Sequence, residues 1–284
     1  FVVSAYGGMT NLLLEHKRSG QPGVYAKYAA GDGSWLDSLE QVKAEMCRLN
    51  AGFAELDLDV AAADEFVRQR LDGVRDCLME LERVCSYGHF TIEEHLPAVR
   101  EMLSAVGEAH SARNSVEILK QHGVNAELFD LSGWMDHETL PFDEMIQKSF
   151  RGVDLQATMP IVTGYTKCSE GIMTTFDRGY SEITFSRIAV LTGAGEGVIH
   201  KEFHLSSSDP KLVGEDNVEI IGNTNYDVAD QLADLGMEAI HPRASKGMEL
   251  QGIPLRIKNA FEPDHPGTLI DRDYRSDAPR VEMV

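Results

Sequence analysis

The sequence predicts an α/β fold, with a mainly parallel central sheet between helical layers and a helical subdomain inserted near its start. Three observations carry this. From Asn125 onward β-rich runs alternate with helical runs, the order that builds βαβ units and parallel strands. Between Trp35 and His122, Leu, Val and Met recur at a spacing close to 3.6, the period of an amphipathic helix. The 284 residues, 43% of them hydrophobic, can bury a substantial core in one large or two modest domains.

Taken in order, FVVSAY (1–6) is a β-branched strand, and TNLLLEHKRSG (10–20) follows it as a helix. The Gly- and Pro-bearing stretch 21–34 is a loop. Three or more amphipathic helices then fill residues 35–122, and the part over about 35–105 is the inserted subdomain. After that come the strand AELFDL, a helix near PFDEMIQKSF and the strand MPIVTGY. A β-hairpin that includes IMTTF, the helix SEITFSRIAVLTG and the strand GVIHKE continue the chain. The strand VEIIG, the helix NYDVADQLADLG, a helix near HPRASKGMELQG and the strand PLRIKN complete the alternation, and GTLI closes it. A strand that begins at Phe1 predicts a further segment before it, and the charged stretch 271–284 reads as a linker into the apolar VEMV. Parallel sheets bind ligands at the carboxyl ends of their strands, so the turns after VVSAY, PIVTG and TTFDRG are the first places to look.

Composition narrows the partners. A formal net charge of −20 argues against a nucleic-acid or anionic-membrane surface and for small molecules or protein chains. Cys47, Cys77, Cys85 and Cys168 include no CxxC pair, so they read as thiols of a reducing cytoplasm rather than a zinc site or disulfide framework. No apolar run approaches the ~18 residues of a membrane helix.

Several turns carry chemistry-bearing residues. In DRGYSE (177–182), Ser181 and Glu182 either cap a helix, or Gly179 admits a ligand whose carboxylate or phosphate meets Arg178 and free backbone N–H groups. SAYGGMTN (4–11) is a strand-to-helix turn with two glycines and two hydroxyls. In GEAHSARN (107–114), Gly107 interrupts a helical pattern at a cost near ~1 kcal/mol relative to Ala, and Glu108 is either a solvated helix acid or a ligand group. HLSSSDPKLVG (204–214) is a polar loop that either cradles phosphate or merely connects. In GMEAIHPR (236–243), Pro242 suits a first helical turn and His241 is either structural or a base. No HExxH, GxSxG or GxxxxGK[ST] pattern occurs, which excludes zinc proteases, α/β-hydrolases and P-loop enzymes.

The ordered set SAYGGMTN, GEAHSARN, VTGY, DRGYSEITFSRIAVLTGA, SSSDPKLV, NYDVADQLADLGMEAIHPRA and PLRIKNAFEPDHPGTLI resembles aspartate kinase of the amino-acid-kinase superfamily over nearly the whole chain. RGYSEITFSRIAVLTGA, HKEFHLSSSDPKLVGED and NTNYDVADQL are most similar to the specialised aspartokinases that accompany ectoine synthesis. The resemblance implies the amino-acid-kinase fold over residues 1–270, with 271–284 leading into an ACT regulatory domain. It implies transfer of the γ-phosphoryl of ATP, with Mg2+, to the β-carboxylate of L-aspartate, in a cytoplasmic homodimer or larger homo-oligomer. By the same resemblance Ser4, Thr10, Glu108, Arg178, Gly179 and Ser181 form the amino-acid site. Glu108 meets the ammonium, and Arg178 and Ser181 receive a carboxylate; Arg178, Ser181 and Glu182 are the catalytic set. Gly7, Gly8, His200, Lys201, Ser206, Asp209 and Lys211 face the nucleotide, and no residue is assigned to metal. Aspartate carries two carboxylates and an ammonium, so a selective pocket needs cationic donors and one acid, which this set supplies.

The chain also departs from the family pattern. The usual Lys-Phe-Gly-Gly segment would precede residue 1. RGGSD is here RGYSE, with Tyr180 for the second glycine and Glu182 for the Asp. His200-Lys201 stands for Thr-Asp, Ser206 for a tyrosine and Glu238 for a lysine. These changes keep open two rivals to aspartate kinase: a catalytically weakened relative with a regulatory role, and a kinase of another carboxylate.

Overall fold

The 3.6-residue spacing becomes three long helices. The structure, a computed structural model, describes residues 1–176, 179–208, 210–234 and 240–277. The chain divides into two compact units, Phe1–Ser181 and Glu182–Val284.

The first unit opens with β1 (Val2–Val3), α1 (Met9–Leu13) and α2 (Val24–Ala29), followed by α3 (Trp35–Gly52), α4 (Val60–Cys85) and α5 (Leu96–Gln121). Trp35, Leu39, Val42 and Met46 on α3 face Val67, Leu71, Val74 and Leu78 on α4, all at most 2% exposed. Burying each such side chain contributes about 1.5–3 kcal/mol. Asp59 caps α4 by accepting the Ala62 N–H at 3.0 Å. Arg70 on α4 lies 4.8 Å from both the Phe66 and Trp134 ring centres and pairs with Asp130, which ties the helical block to the loop after β2 (Ala126–Phe129).

From Leu103 to Ala112 every residue of α5 is buried, so this helix is a central element rather than an amphipathic cover. It packs on a three-stranded parallel sheet in which β3 (Met159–Thr163) lies between β1 and β2, in the register Val2↔Val162 and Phe129↔Val162. Ala112, Val116, Ala126 and Ile161 form the contact core there. Two further helices, α6 (Phe142–Phe150) and α7 (Ile172–Phe176), flank β3 in sequence, and α8 (Tyr180–Thr192) runs across the division between the units.

The second unit holds β4 (Gly197–Lys201), α9 (Pro210–Val213), β5 (Asn223–Thr224), α10 (Tyr226–Asp234), α11 (Pro242–Gln251), β6 (Leu255–Asn259) and β7 (Thr268–Ile270). Its sheet has the order β4-β6-β7-β5, with β4/β6 and β5/β7 parallel and β6/β7 antiparallel. The described strands thus form two sheets, mainly parallel as expected.

Four local expectations are corrected. The first helix stops at Leu13, because the carbonyls of its end turn onto the following loop: Leu14 O accepts from Gly23 N at 3.0 Å and Ala26 N at 3.3 Å. A Cβ on Gly23 would fall 2.4–2.8 Å from the Asn11, Leu12 and Leu14 carbonyls. The stretch 21–34 is not all loop, since Val24 and Tyr28 bury one face of α2 and the Tyr28 hydroxyl donates to Leu78 O at 3.1 Å. IMTTF is a helix, not a hairpin strand: Glu101 accepts from Met173 N at 2.9 Å and from Thr174 N at 3.4 Å, placing a carboxylate at the helix start that outweighs the β-propensity of the threonines. VEIIG forms no strand; Ile220 makes a lone bridge with Ser206, and pairing resumes at β5.

Candidate active site

In the first unit the parallel strands β1 and β3 release their chains side by side, and Gly164 N donates to Val3 O at 2.9 Å. After β1 the chain turns through Ser4, Ala5, Tyr6, Gly7 and Gly8 into α1. Gly8 takes φ 81°, a left-handed conformation that favours glycine, and a Cβ at Gly7 or Gly8 would meet nothing within 4 Å, so this backbone is open. Helix α5 fixes the turn from below, where Ser111 Oγ donates to Ser4 O at 2.7 Å. A Cβ on Gly107 would lie 2.7 Å from the Ala5 Cβ. After β3, a Cβ on Gly164 would come within 2.5 Å of Ser181 Oγ and 2.8 Å of Val3 O. The two glycines therefore let three segments converge: the turn after β1, α5 and the start of α8.

Glu108 lies at that convergence, 2% exposed. Its Oε1 accepts the Tyr180 hydroxyl at 2.8 Å, whereas among the described residues Oε2 has no hydrogen-bond partner. Burial pushes its carboxyl up to about 7, against the opposing pull of the Tyr180 hydroxyl, the Ala5 backbone N–H and the Ser181 hydroxyl. Glu101, two turns earlier on the same helix face, provides an internal comparison. Its Oε2 accepts from the Tyr165 hydroxyl at 2.7 Å and its Oε1 from the backbone of α7, so both oxygens are satisfied. Glu101 has the pattern of a structural acid, and Glu108 that of an acid with one oxygen left for something else.

Of the residues expected around an amino acid, Ser4, Glu108 and Ser181 gather here, with Gly179 half-buried just before α8 and Thr10 half-buried on α1. Arg178 lies outside the described residues. In the sequence Tyr180 is only a departure from the glycine of the family pattern; its hydrogen bond to Glu108 is a feature that local pattern does not reveal.

In the second unit, Glu182 Oε2 accepts the His241 N–H at 2.5 Å, and Oε1 lies 3.4 Å from Lys201 Nζ on β4. One carboxylate so connects α8, β4 and the start of α11. His241 caps that helix by accepting Arg243 N at 3.2 Å, which favours the structural reading of this histidine. His200 is exposed on β4, and the buried Ser206 donates to Ser208 O at 3.0 Å. Asp209, Glu238 and the Lys211 side chain lie outside the described residues. Among the described residues no group of three or more His, Cys, Asp or Glu could hold a metal ion, all four cysteines are free, and no helix is long and apolar enough to cross a membrane.

The profile of the amino acid kinase family matches residues 1–259. The chain belongs to the amino acid kinase family. Within it, the chain is 57% identical over 286 residues to aspartate kinase Ask_Ect of Stutzerimonas stutzeri (strain A1501), covering all of this chain and 60% of that protein. It is 27% identical to the aspartokinase of Candida albicans over 74% of this chain and 41% of that one. The chain thus spans roughly half the length of these curated relatives. A crystal structure of Escherichia coli aspartokinase III in complex with aspartate and ADP superposes with a TM-score of 0.70 at 22% identity, covering 97% of this chain and 58% of that one. An aspartate kinase from Clostridium acetobutylicum gives 0.67 at 20% identity, with coverages of 98% and 57%. These likenesses show that the fold is that of the amino acid kinase family.

Proposed function

We propose that this chain is the catalytic portion of an aspartate kinase, which transfers the γ-phosphoryl group of ATP to the β-carboxylate of L-aspartate. The observation that carries the reading is Glu108: a buried acid with an unpartnered oxygen, at the carboxyl ends of parallel strands, suits an ammonium ligand. The 57% identity to an aspartate kinase, over the whole of this chain, supports the choice of aspartate and points to the ectoine-linked branch.

In this reading Glu108 binds the α-ammonium, Thr10 and the turn from Ser4 hold the backbone of the amino acid, and Arg178, Gly179 and Ser181 receive a carboxylate. The β-carboxylate of aspartate, already ionised at neutral pH, needs no general base. One of its oxygens bonds to the γ-phosphorus as the bond to the β,γ-bridging oxygen breaks, and ADP leaves with that electron pair. Such a transfer depends mainly on positioning and charge stabilisation. Gly7, Gly8, His200, Lys201, Ser206, Asp209 and Lys211 are proposed for the nucleotide, with Glu182 setting the position of Lys201. Mg2+ would arrive on the phosphates, which suits an ion usually bound through substrate phosphates and few protein carboxylates. We also take the protein to be cytoplasmic and a homodimer or larger homo-oligomer.

The test is ADP release by the full-length protein with Mg-ATP and aspartate, set beside glutamate and N-acetylglutamate. Aspartate-dependent turnover is expected, and Arg178→Ala should cost about 2–5 kcal/mol in kcat/KM. Turnover indifferent to aspartate, or preference for another carboxylate, sinks the reading. The inward-turned Ser206 hydroxyl favours a second reading, a weakened relative that binds aspartate without transferring phosphate. That reading predicts calorimetric binding with no ADP formed.

A further inference from the structure

The site contains a device that the family pattern does not predict, because position 180 is glycine in RGGSD and tyrosine here. We propose that Tyr180 is the positioning residue of the amino-acid site, holding Glu108 in its charged form and turning its second oxygen toward the ligand's ammonium. This rests on the aspartate reading and deepens it.

The geometry supports a held hydroxyl rather than a filling ring. Tyr180 is 2% exposed and its hydroxyl donates to Glu108 Oε1 at 2.8 Å. Its ring meets that of Tyr165 edge-on, with centroids 5.8 Å apart and planes at 79°. Tyr165 is itself fixed by its hydrogen bond to Glu101, whose other oxygen is held by α7. The acceptor Oε1 is thereby occupied and Oε2 is left to the ligand. A hydrogen bond to the charged form of a buried acid offsets part of the cost of desolvating it. Without the phenol, Glu108 would stay protonated further up the pH scale and offer an ammonium a neutral partner.

Among the described residues, the groups that face Glu108 are few. Tyr180 and Ser181 come from α8, the Ala5 N–H from the turn after β1, and the Tyr165 phenol from the loop after β3. Arg178, outside the described residues, is common to all variants below.

The experiment is calorimetric titration of the full-length protein with L-aspartate from pH 6 to 8.5, in buffers of different ionisation enthalpy, so that protons released on binding are counted. It reads binding and not phosphoryl transfer. With Glu108 near 7, wild type releases about half a proton per aspartate at pH 7. Tyr180→Phe should shift the profile upward by about one pH unit, weaken binding roughly five- to tenfold at pH 7, and converge to within about twofold of wild type by pH 8.5. It should also release nearly one proton, and Glu108→Gln should release none. Should the phenylalanine variant fold poorly, 3-fluorotyrosine at position 180, a stronger donor of nearly the same size, should move the profile toward lower pH. A loss that is constant across pH, or no shift with either replacement, overturns the inference and leaves the aspartate reading standing. If wild type binds no aspartate at any pH, both fall.

Discussion

Glu108 and His110 sit two residues apart on α5, both buried, and they pull the pH dependence of stability in opposite directions. Burial raises the Glu108 carboxyl to about 7 from an ordinary 4.5. Between those values the folded chain keeps a proton the unfolded chain has lost, so stability falls as pH rises through the window. Burial lowers the His110 imidazole to about 4 from 6.5, and Nε2 lies 2.6 Å from Asn50 Oδ1. Between those values the unfolded chain takes up a proton the folded chain refuses, so here stability falls as pH falls. Glu108→Gln should therefore raise the urea midpoint at pH 8, by an amount equivalent to about 2 kcal/mol, with little change at pH 5 where the wild-type acid is already neutral. Equal midpoints at both pH values would mean that the carboxylate is not desolvated. The sequence left Glu108 open between a solvated helix acid and a ligand group, and only the resemblance favoured the second. Burial removes the solvated reading, and no local spacing reports it, since it depends on β1, α5 and α8 meeting.

At the scale of elements, long periodic segments were legible and short ones were not. The stripes of α3 and α4 repeat over many turns, so their inward faces stand out against the polar background. The six residues of α2 and the five of α7 give too little pattern, and each owes its form to a distant partner: Leu78 O for Tyr28 and Glu101 for the start of α7. Gly107 shows why a residue that costs helix stability is present. Alanine there would gain up to about 1 kcal/mol of helix propensity but place a methyl 2.7 Å from the Ala5 Cβ, and overpacking of that kind costs about 1–3 kcal/mol. Gly107→Ala should lower the denaturation midpoint and, on the proposed aspartate kinase reading, raise the KM for aspartate by displacing the turn that leads to Thr10. Equal midpoints would show that the turn yields without cost.

At the scale of the whole molecule, the alternation of strands and helices correctly announced a mainly parallel α/β chain. It did not announce that the described strands divide into two sheets, because pairing partners such as β1 with β3 and β4 with β6 are separated by long stretches of other structure. The net charge of −20 acts at this scale too. Excess negative charge repels itself in the compact state and salt screens it, so Tm should rise by a few degrees between about 0.02 and 0.5 M NaCl. A flat response would mean that the acids are locally neutralised. The division between the two units falls between Ser181 and Glu182, inside the first turn of α8 rather than in a connecting loop. A protease searching for a flexible joint finds helical backbone there, and a gene cut between those two codons would break consecutive helical hydrogen bonds. Dissecting this chain into fragments for reconstitution is therefore better begun at a surface turn than at its own internal border.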